Sequence, residues 1–581
     1  MLGLFLAGIV ICLIIYRVQR YFRYWDQYGV KTVSSIYLLK ELVKVYCRQR
    51  IMTDMCKNVY NAIPNARYFG VYQFSKPALV LKDADLITEL TTKHFDHFTD
   101  HQYMISEKFE PMWGKSLFII KGQRWRTIRH IISPSFTSNK LKIMFGLITD
   151  SAKNFTDHFL QKNEDVIEVE LKDVFTRFTN DVLTSTSFGL AVDSFKNPNN
   201  QFLEIAEKMC NFTSGFGNLI KFNIMVQWPA LYEFLGLPVF DTTVNDFFEK
   251  LVEDTIHMRE ERGIVRPDMI HLLMEAKKES LKEIHIDNGK SEDADNKRIQ
   301  LTNKDIAAQA FFFYLAGFDN VATLLCFCCY EIVVNPEIQD RLRAEVQESF
   351  DKCGGAVTYD TINELKYFGM VLKETLRKWP PVFAADRVCT KSFTIQPKVP
   401  DEQPVYLKEG SIFWLPIYAL HYDPSYFPDP ETFDPERFNP ENKQNIKAGT
   451  FLAFGSGPRS CIGYRLAFLE VKTFLFHLLY HFEIVKTQKS QIPIKLKPTS
   501  PNLCPSDGFW FAFRKIRRMN KTPKRKLHQP IFWSRTFCRE NGQTLQGMAR
   551  RIIWALLPLQ DFEQPRYLSG SVSNRRRSAK N

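Results

Sequence analysis

The stretch that decides the fold is Phe454-Gly-Ser-Gly-Pro-Arg-Ser-Cys461-Ile-Gly463. It places one cysteine on a glycine-rich turn, directly before an apolar helical pattern that runs from Leu466 to Leu479. Glycine permits left-handed backbone angles and the close approach of a flat ligand. A thiol among the N–H groups at a helix start is stabilised as the thiolate, which can bind a soft metal. Most single cysteines are simply small buried residues, so the rest of the chain has to support this interpretation.

The composition favours one large domain. The chain has 581 residues and 49 phenylalanines, enough for a sizeable core, and no linker-like stretch interrupts residues 60–515. The formal net charge is +13, but residues 517–581 hold 15 Lys and Arg against three acidic residues. The tail therefore carries +12 of that charge and the remainder is close to neutral. This distribution argues against nucleic-acid binding by the main body.

The 12 cysteines show no paired spacing. Cys326, Cys328 and Cys329 fall in one apolar helical run, which predicts small core residues. No CxxC or His/Cys set has the spacing of a zinc site. A reducing compartment fits this usage best.

Leu2 to Tyr16 is apolar or small throughout, and the first charges are Arg17, Arg20 and Arg23. At about 1.5 Å per residue the run spans roughly 24 Å, slightly less than a bilayer core of ~30 Å. Positive charge follows the segment and no cleavage site is evident, so we expect an uncleaved anchor at 1–16 with a cytosolic body.

The flanks of the main domain are atypical. Residues 17–64 form a linker whose first proline is Pro64, with a weak helical pattern from Leu38. Residues 277–300 are highly charged and predict a solvated loop. The basic tail 517–581 surrounds one short apolar stretch, and we expect disorder or translated non-coding sequence there. An alternative is binding to anionic lipid.

Several spacings carry structural information. Trp125 and Arg129 share one face if they lie on a helix, where a surface helix is the simplest explanation. Thr302 and Asp305 predict a capped helix from 303 to about 334, roughly 48 Å long. Glu374 and Arg377 lie three residues apart on another predicted helix. Two strands are expected around Tyr68 and Ala78, joined by a Ser-Lys-Pro turn.

Together these motifs resemble the cytochrome P450 family. The resemblance begins at Phe454, Arg459 and Cys461 and covers about residues 65–515. It implies a mainly α fold with small β-sheets, in which haem lies between the long central helix and the cysteine loop. The sequence pattern is similar to that of insect microsomal members of the family, which are tied to xenobiotic metabolism. The implied domains are the anchor 1–16, the haem-thiolate catalytic domain 65–516, the tail 517–581 and, between anchor and catalytic domain, the linker 17–64, which lacks the proline-rich hinge usual in microsomal members.

The resemblance also implies residue roles. Cys461 is the axial thiolate ligand of the haem iron, within a loop that begins at Phe454. Propionate contacts are implied for Trp125, Arg129, Arg387 and Arg459. Glu374, Arg377 and Arg437 form a structural Glu–Arg–Arg triad that presents the cysteine loop. Residues 202–248 match the roof of the substrate cavity.

The middle of the long helix departs from the family pattern. The motif Ala/Gly-Gly-x-Asp/Glu-Thr occurs here as Ala316-Gly-Phe-Asp319-Asn320. The acid and the alcohol of this motif manage protons in the family, and Asp319 matches the acid. Asn320 can donate a hydrogen bond and hold water, but it cannot relay a proton as a hydroxyl does. Thr323, one turn on, is a weaker substitute.

The implied activity is a microsomal haem-thiolate monooxygenase that inserts one oxygen atom of O₂ into lipophilic small molecules. The cofactor is haem b (iron protoporphyrin IX), with NADPH acting through a reductase. Expected partners are NADPH-cytochrome P450 reductase, cytochrome b5, membrane lipid and the substrate, at the endoplasmic reticulum membrane. Two alternatives stay open: a reductase-independent haem-thiolate isomerase or dehydratase, and a poorly coupled or non-catalytic haem-binding protein.

Overall fold

A 32-residue helix, Asn303–Val334, runs through the centre of the fold. The predicted capping box is present: the Asp305 N–H donates to Thr302 Oγ1 (3.1 Å), and the Thr302 N–H donates to Asp305 Oδ2 (2.9 Å). The helix ends at Asn335, because Pro336 starts the next helix. Its second half is almost wholly buried and includes the three adjacent cysteines, which confirms them as core residues.

The computed structural model describes residues 23–517 except 74–75, 103, 211–214, 267, 287–300 and 499–502. In these residues the α-helices are α1 Ser35–Tyr46, α2 Met52–Asn61, α3 Ala84–Thr88, α4 Pro111–Gly114, α5 Gly122–Ile132, α6 Ser138–Leu160, α7 Leu171–Leu183, α8 Gln201–Cys210, α9 Gly215–Gln227, α10 Pro229–Phe234, α11 Thr242–Arg262, α12 Met269–Ile286, α13 Asn303–Val334, α14 Pro336–Lys352, α15 Tyr359–Asn363, α16 Lys366–Lys378, α17 Ile417–His421 and α18 Tyr464–His481. The prediction of a loop over residues 277–300 was wrong as far as Ile286, because α12 continues to that residue.

The strands are few and short. They are β1 Tyr68–Gln73, β2 Lys76–Leu81, β3 Val166–Glu170, β4 Ala385–Val388, β5 Phe393–Ile395, β6 Val405–Leu407, β7 Ile412–Leu415, β8 Phe482–Lys486 and β9 Trp510–Lys515. They form three sheets with orders β1-β2-β7-β4, β3-β9-β8 and β5-β6. The predicted turn was placed too late, since Lys76 and Pro77 already pair with β1.

The linker is folded against the sheet as far as it is described. Helices α1 and α2 occupy most of the described part of the linker. Lys82 directly follows strand β2, and its side chain contacts the last residues of the linker. Lys82 Nζ donates to the carbonyl oxygens of Tyr60 (3.2 Å), Ile63 (2.8 Å) and Pro64 (2.9 Å). A buried ammonium thus fastens the segment in which the proline-rich hinge is missing.

One described helix, Asn303–Val334, is long and apolar enough to cross a membrane by length and hydropathy alone. Its apolar window is 61% buried inside the protein, as expected for a core helix. The predicted anchor at 1–16 lies outside the described residues, as does the tail from 518 onward. The domain boundaries given above therefore stay predictions.

Helix α18 carries a buried acid without a partner. Glu470 is 2% exposed, its Oε1 has no hydrogen bond, and burial raises its pKa to about 8. The unfolded chain ionises this group near pH 4.3. Folding therefore takes up a proton between about pH 4.3 and 8, and stability falls as the pH rises through that window.

We expect Glu470→Gln to stabilise the protein at pH 8 by an amount on the order of 4 kcal/mol, and to be nearly neutral at pH 4. Urea unfolding of both proteins across this range measures the difference. The control is Glu348→Gln, since Glu348 is exposed on α14 and pairs with Lys352. A gain from Glu470→Gln that does not grow with pH would show that Glu470 is ionised in the folded protein.

Candidate active site

The loop before α18 folds back on itself, so that Cys461 lies against Phe454 at the start of the loop. The Cys461 N–H donates to the Phe454 carbonyl (2.8 Å), and the Ser460 N–H donates to the Gly457 carbonyl (2.9 Å). Gly457 has φ +69°, and a Cβ there would lie 1.9 Å from the Thr91 carbonyl oxygen. Only glycine fits this position, so the close approach to residue 91 fixes the shape of the loop.

The environment of the thiol is mixed. The Cys461 side chain is accessible to solvent, yet the protein around it is dense enough that desolvation raises the pKa of the thiol. The Gly463 N–H and the Arg129 guanidinium act in the opposite direction and lower it. Binding of a metal would remove the thiol proton outright. Cys461 can therefore serve as a ligand on its open side.

Trp125 and Arg129 project from one face of α5 towards this loop. Arg129 Nη2 donates to the Ser460 carbonyl (2.9 Å), next to the cysteine. Trp125 is buried, and the Arg459 guanidinium carbon lies 4.1 Å from the centre of its ring. The two α5 residues and Arg459 thus meet at the cysteine loop, which the simpler alternative of a surface helix does not explain.

The loop is surrounded by an excess of positive charge. Four cations interact electrostatically with one another or with the same acids here: Lys121, Arg129, Arg387 and Arg459. Two acids, Asp100 and Asp386, oppose them. Burial lowers the pKa of each of the four cations, so the site would gain from further negative charge.

These residues fit a haem group. Its propionates would supply negative charge among these cations, and its macrocycle would supply the iron ligands that one thiolate cannot. Arg387 Nε is buried without a hydrogen-bond partner, and such a donor is costly unless a ligand satisfies it. Arg387 Nη2 is 3.4 Å from the Ser456 carbonyl of the cysteine loop.

Arg459 is engaged by protein groups. Its Nε donates to the Thr99 carbonyl (2.7 Å), and Nη2 donates to the Ile120 carbonyl (2.9 Å) and Asp100 Oδ1 (3.5 Å). Its Nη1 lies 3.2 Å from the Leu117 carbonyl. The structure therefore places Arg459 beside the other cations, but it uses this guanidinium to hold residues 99–120 against the cysteine loop.

The predicted triad is assembled and buried. Arg377 donates from Nε and Nη2 to the two Glu374 oxygens, both at 2.8 Å, and both side chains are fully buried. Arg437 Nε lies 3.5 Å from Glu374 Oε1, which also accepts the Asp434 N–H (2.9 Å). Arg377 Nη1 donates to the His421 carbonyl (3.0 Å). This network connects α16 with α17 and with the segment that leads to Cys461.

The three predicted proton-managing residues of α13 separate into two sets. Asn320 Nδ2 donates back to the Ala316 carbonyl (2.9 Å), one turn earlier. Asp319 and Thr323 instead share a partner on α7: Lys172 Nζ is 2.7 Å from Asp319 Oδ1 and 2.7 Å from Thr323 Oγ1. Thr323 is thus tied to Asp319 through Lys172, and the structure does not bring its hydroxyl to Asn320.

Sequence reasoning missed the residues that connect these groups. Lys172, Asp100 and Asp386 lie far along the chain from their partners, and none stands in a recognisable motif. Asp386 Oδ1 is 2.9 Å from His101 Nδ1, and burial lowers the pKa of this histidine.

The fold and the site define a class: a mainly helical protein whose single cysteine ligand, on a glycine loop, is suited to haem. The cytochrome P450 family model matches residues 42–509. The chain is 38% identical over 504 residues to "Cytochrome P450 9e2" of Blattella germanica, covering 84% of this chain and 93% of that protein. It is 38% identical over 492 residues to "Probable cytochrome P450 9f2" of Drosophila melanogaster, covering 83% and 93%.

A second group of relatives is more distant. "Cytochrome P450 6k1" of Blattella germanica is 32% identical over 520 residues, covering 88% of this chain and 96% of that protein. The chain belongs to the cytochrome P450 family and is of the insect microsomal type. It is accordingly a haem-thiolate monooxygenase that works with redox partners, and the predicted fold class is confirmed.

Proposed function

We propose that Cys461 is the thiolate ligand of haem b, and that the chain uses NADPH-derived electrons to insert one oxygen atom of O₂ into lipophilic small molecules. The bound haem supplies the oxygen-activating chemistry, which the thiolate promotes by donating electron density. The observation that carries this proposal is the accessible Cys461 thiol beside four cations with only two opposing acids.

The residues of the chain then have distinct tasks. Arg387, with a buried unpaired Nε, binds a propionate, and Trp125 and Arg129 orient the cofactor from α5. Arg459 holds Thr99, Leu117 and Ile120 against the loop through hydrogen bonds to their carbonyl oxygens. Lys172 engages Asp319 and Thr323. Of the three residues of α13 that were predicted to manage protons, Asn320 is then left to hold water or handle protons, and it donates to the Ala316 carbonyl.

An apolar substrate and a membrane location are supported by the surface around α10. Trp228, Leu231, Phe234 and Leu235 expose 46%, 46%, 85% and 50% of their surface. Clustered apolar side chains on one short segment suit a lipid surface, from which lipophilic compounds partition. We infer that the protein lies at the endoplasmic reticulum membrane with NADPH-cytochrome P450 reductase as electron donor, and with cytochrome b5 as a second partner.

The test is reconstitution of the full-length holoenzyme in lipid vesicles with the reductase and NADPH, against a panel of lipophilic compounds. Candidates are first selected by their binding spectra. We expect oxygenated product whose formation requires both NADPH and reductase. The control omits the reductase and supplies hydrogen peroxide instead.

One specific observation favours a second candidate. Asn320 replaces the alcohol of the family motif, and its amide makes only a local bond to the Ala316 carbonyl. A haem-thiolate isomerase or dehydratase needs no such alcohol and no reductase. Rearrangement of an organic hydroperoxide, without NADPH and with no NADPH-dependent product, would favour this candidate over the monooxygenase. NADPH consumption that yields only peroxide or water would indicate poor coupling.

A further inference from the structure

The contacts of Lys172 are unusual for a lysine at a helix start. It is the second residue of α7, and its side chain points into the junction with α13, the helix on which α7 packs most closely. Its Nζ donates to Asp319 Oδ1 (2.7 Å), to the Asp319 carbonyl oxygen (3.2 Å) and to Thr323 Oγ1 (2.7 Å). One ammonium thus uses its three donors on two residues of a single helical turn.

The charge on this ammonium is secured by its surroundings. Burial alone would lower the pKa of Lys172, but the attraction of Asp319 outweighs it and raises the pKa. The thiols near this ion pair, Cys210, Cys326 and Cys504, are neutral because burial raises the pKa of each. These thiols do not compensate the Asp319 carboxylate, whereas the Lys172 ammonium pairs with it directly.

Side chains also donate to backbone carbonyls in the same turn of α13. Lys172 Nζ donates to the Asp319 carbonyl, and Asn320 Nδ2 donates to the Ala316 carbonyl. At Gly317, a Cβ would lie 2.8 Å from Leu183 Cδ2 of α7, so α7 and α13 approach each other closely here.

We propose that Lys172 is a positioning residue for oxygen activation: it holds Asp319 and Thr323 on the α7 side of α13 and thereby fixes the turn that presents Asn320. Lys172 does not touch the reacting atoms. It fixes the geometry of Asp319 and Thr323, and through them the position of Asn320 in the same helix. The expected effect of Lys172 on product formation rests on the proposed function, whereas its expected effect on the backbone of α13 does not.

The central experiment compares Lys172→Met, Lys172→Arg and the double variant Lys172→Met/Asp319→Asn in the holoenzyme with reductase and NADPH. We expect Lys172→Met to lower the ratio of product to hydrogen peroxide by about tenfold, as outer-shell changes do. Lys172→Arg keeps the charge and should retain most of that ratio. The control is Lys142→Met, which removes an exposed lysine paired with Asp360.

The double variant separates positioning from plain charge compensation. If Lys172 only neutralised the half-buried Asp319 carboxylate, removing both charges would restore the melting temperature and the product ratio together. A positioning role predicts that the melting temperature recovers while the product ratio stays low. A wild-type ratio in either Lys172→Met or the double variant overturns the proposal.

Amide hydrogen exchange gives a readout that needs no electron donor. We expect the peptide containing residues 316–323 to exchange about tenfold faster in Lys172→Met, since a charged hydrogen bond is lost. Unchanged exchange there overturns the proposal even if no substrate has been found. Conversely, wild-type protein that forms no product, combined with faster exchange in the variant, would count against the proposed function and leave the holding role of Lys172 supported.

Discussion

Replacing Cys461 with alanine is expected to abolish the strongly red-shifted absorbance band that thiolate-ligated ferrous haem gives with carbon monoxide. Burial raises the pKa of this accessible thiol, while the Gly463 N–H and Arg129 oppose that rise and favour the thiolate that would bind the iron. Product formation should fall by far more than the roughly 100-fold that outer-shell changes cost.

The matched control for this substitution is Cys47→Ala, because Cys47 is an exposed free cysteine at the end of α1. It should leave the spectrum and the product rate unchanged. Haem content is measured in parallel by extraction, so that loss of ligation is distinguished from loss of cofactor. Retention of the red-shifted band in Cys461→Ala would refute the assignment of the ligand.

The second large effect is expected at the buried triad. Arg377→Met removes the bidentate partner of Glu374 and leaves that carboxylate buried, with Arg437 only at 3.5 Å. Burial raises the pKa of Glu374 and the arginines lower it, so loss of Arg377 strengthens the first effect. Breaking a buried ion pair of this kind costs about 3–5 kcal/mol, which is a large part of a typical folding free energy.

Urea unfolding and haem retention measure this cost. Lys352→Met serves as the control, because it removes the exposed pair with Glu348 and should leave the urea midpoint unchanged. In Arg377→Met/Glu374→Met no unpaired charge remains, so we expect much of the stability to return. An Arg377→Met variant as stable as the wild type would mean that the triad does not hold the cysteine segment in place.

Local chemistry explains which features could be predicted from the sequence. The capping box at Thr302 fixes the start of a helix by its own backbone requirements, and α13 has the bounds that were predicted. Gly457 marks a loop that a side chain would prevent from closing. Glu374 and Arg377 lie within one helical turn, and their pairing requires no knowledge of the rest of the fold.

The features that escaped prediction depend on contacts across the chain. Lys172 is 147 residues from Asp319, and Arg459 is 359 residues from Asp100. No local pattern distinguishes Lys172 or Asp100 from solvated surface charges, and the motif that marks Arg459 does not reveal its partner. The loop predicted over 277–300 failed for a related reason: charges spaced by three and four residues suit an exposed helix as well as a loop, and α12 continues to Ile286.

The three hydrogen bonds of Lys82 affect how substitutions act on the linker. A run of prolines stiffens a tether through the covalent geometry of the prolines themselves, so the stiffness is a property of the tether's own sequence. Here the tether's end at Pro64 is held by a residue 18 positions further on. A single substitution at Lys82 would therefore weaken the hold on residues 60–64, while the tether's own sequence stayed intact. The strength of this attachment is therefore set by a residue outside the segment that it holds.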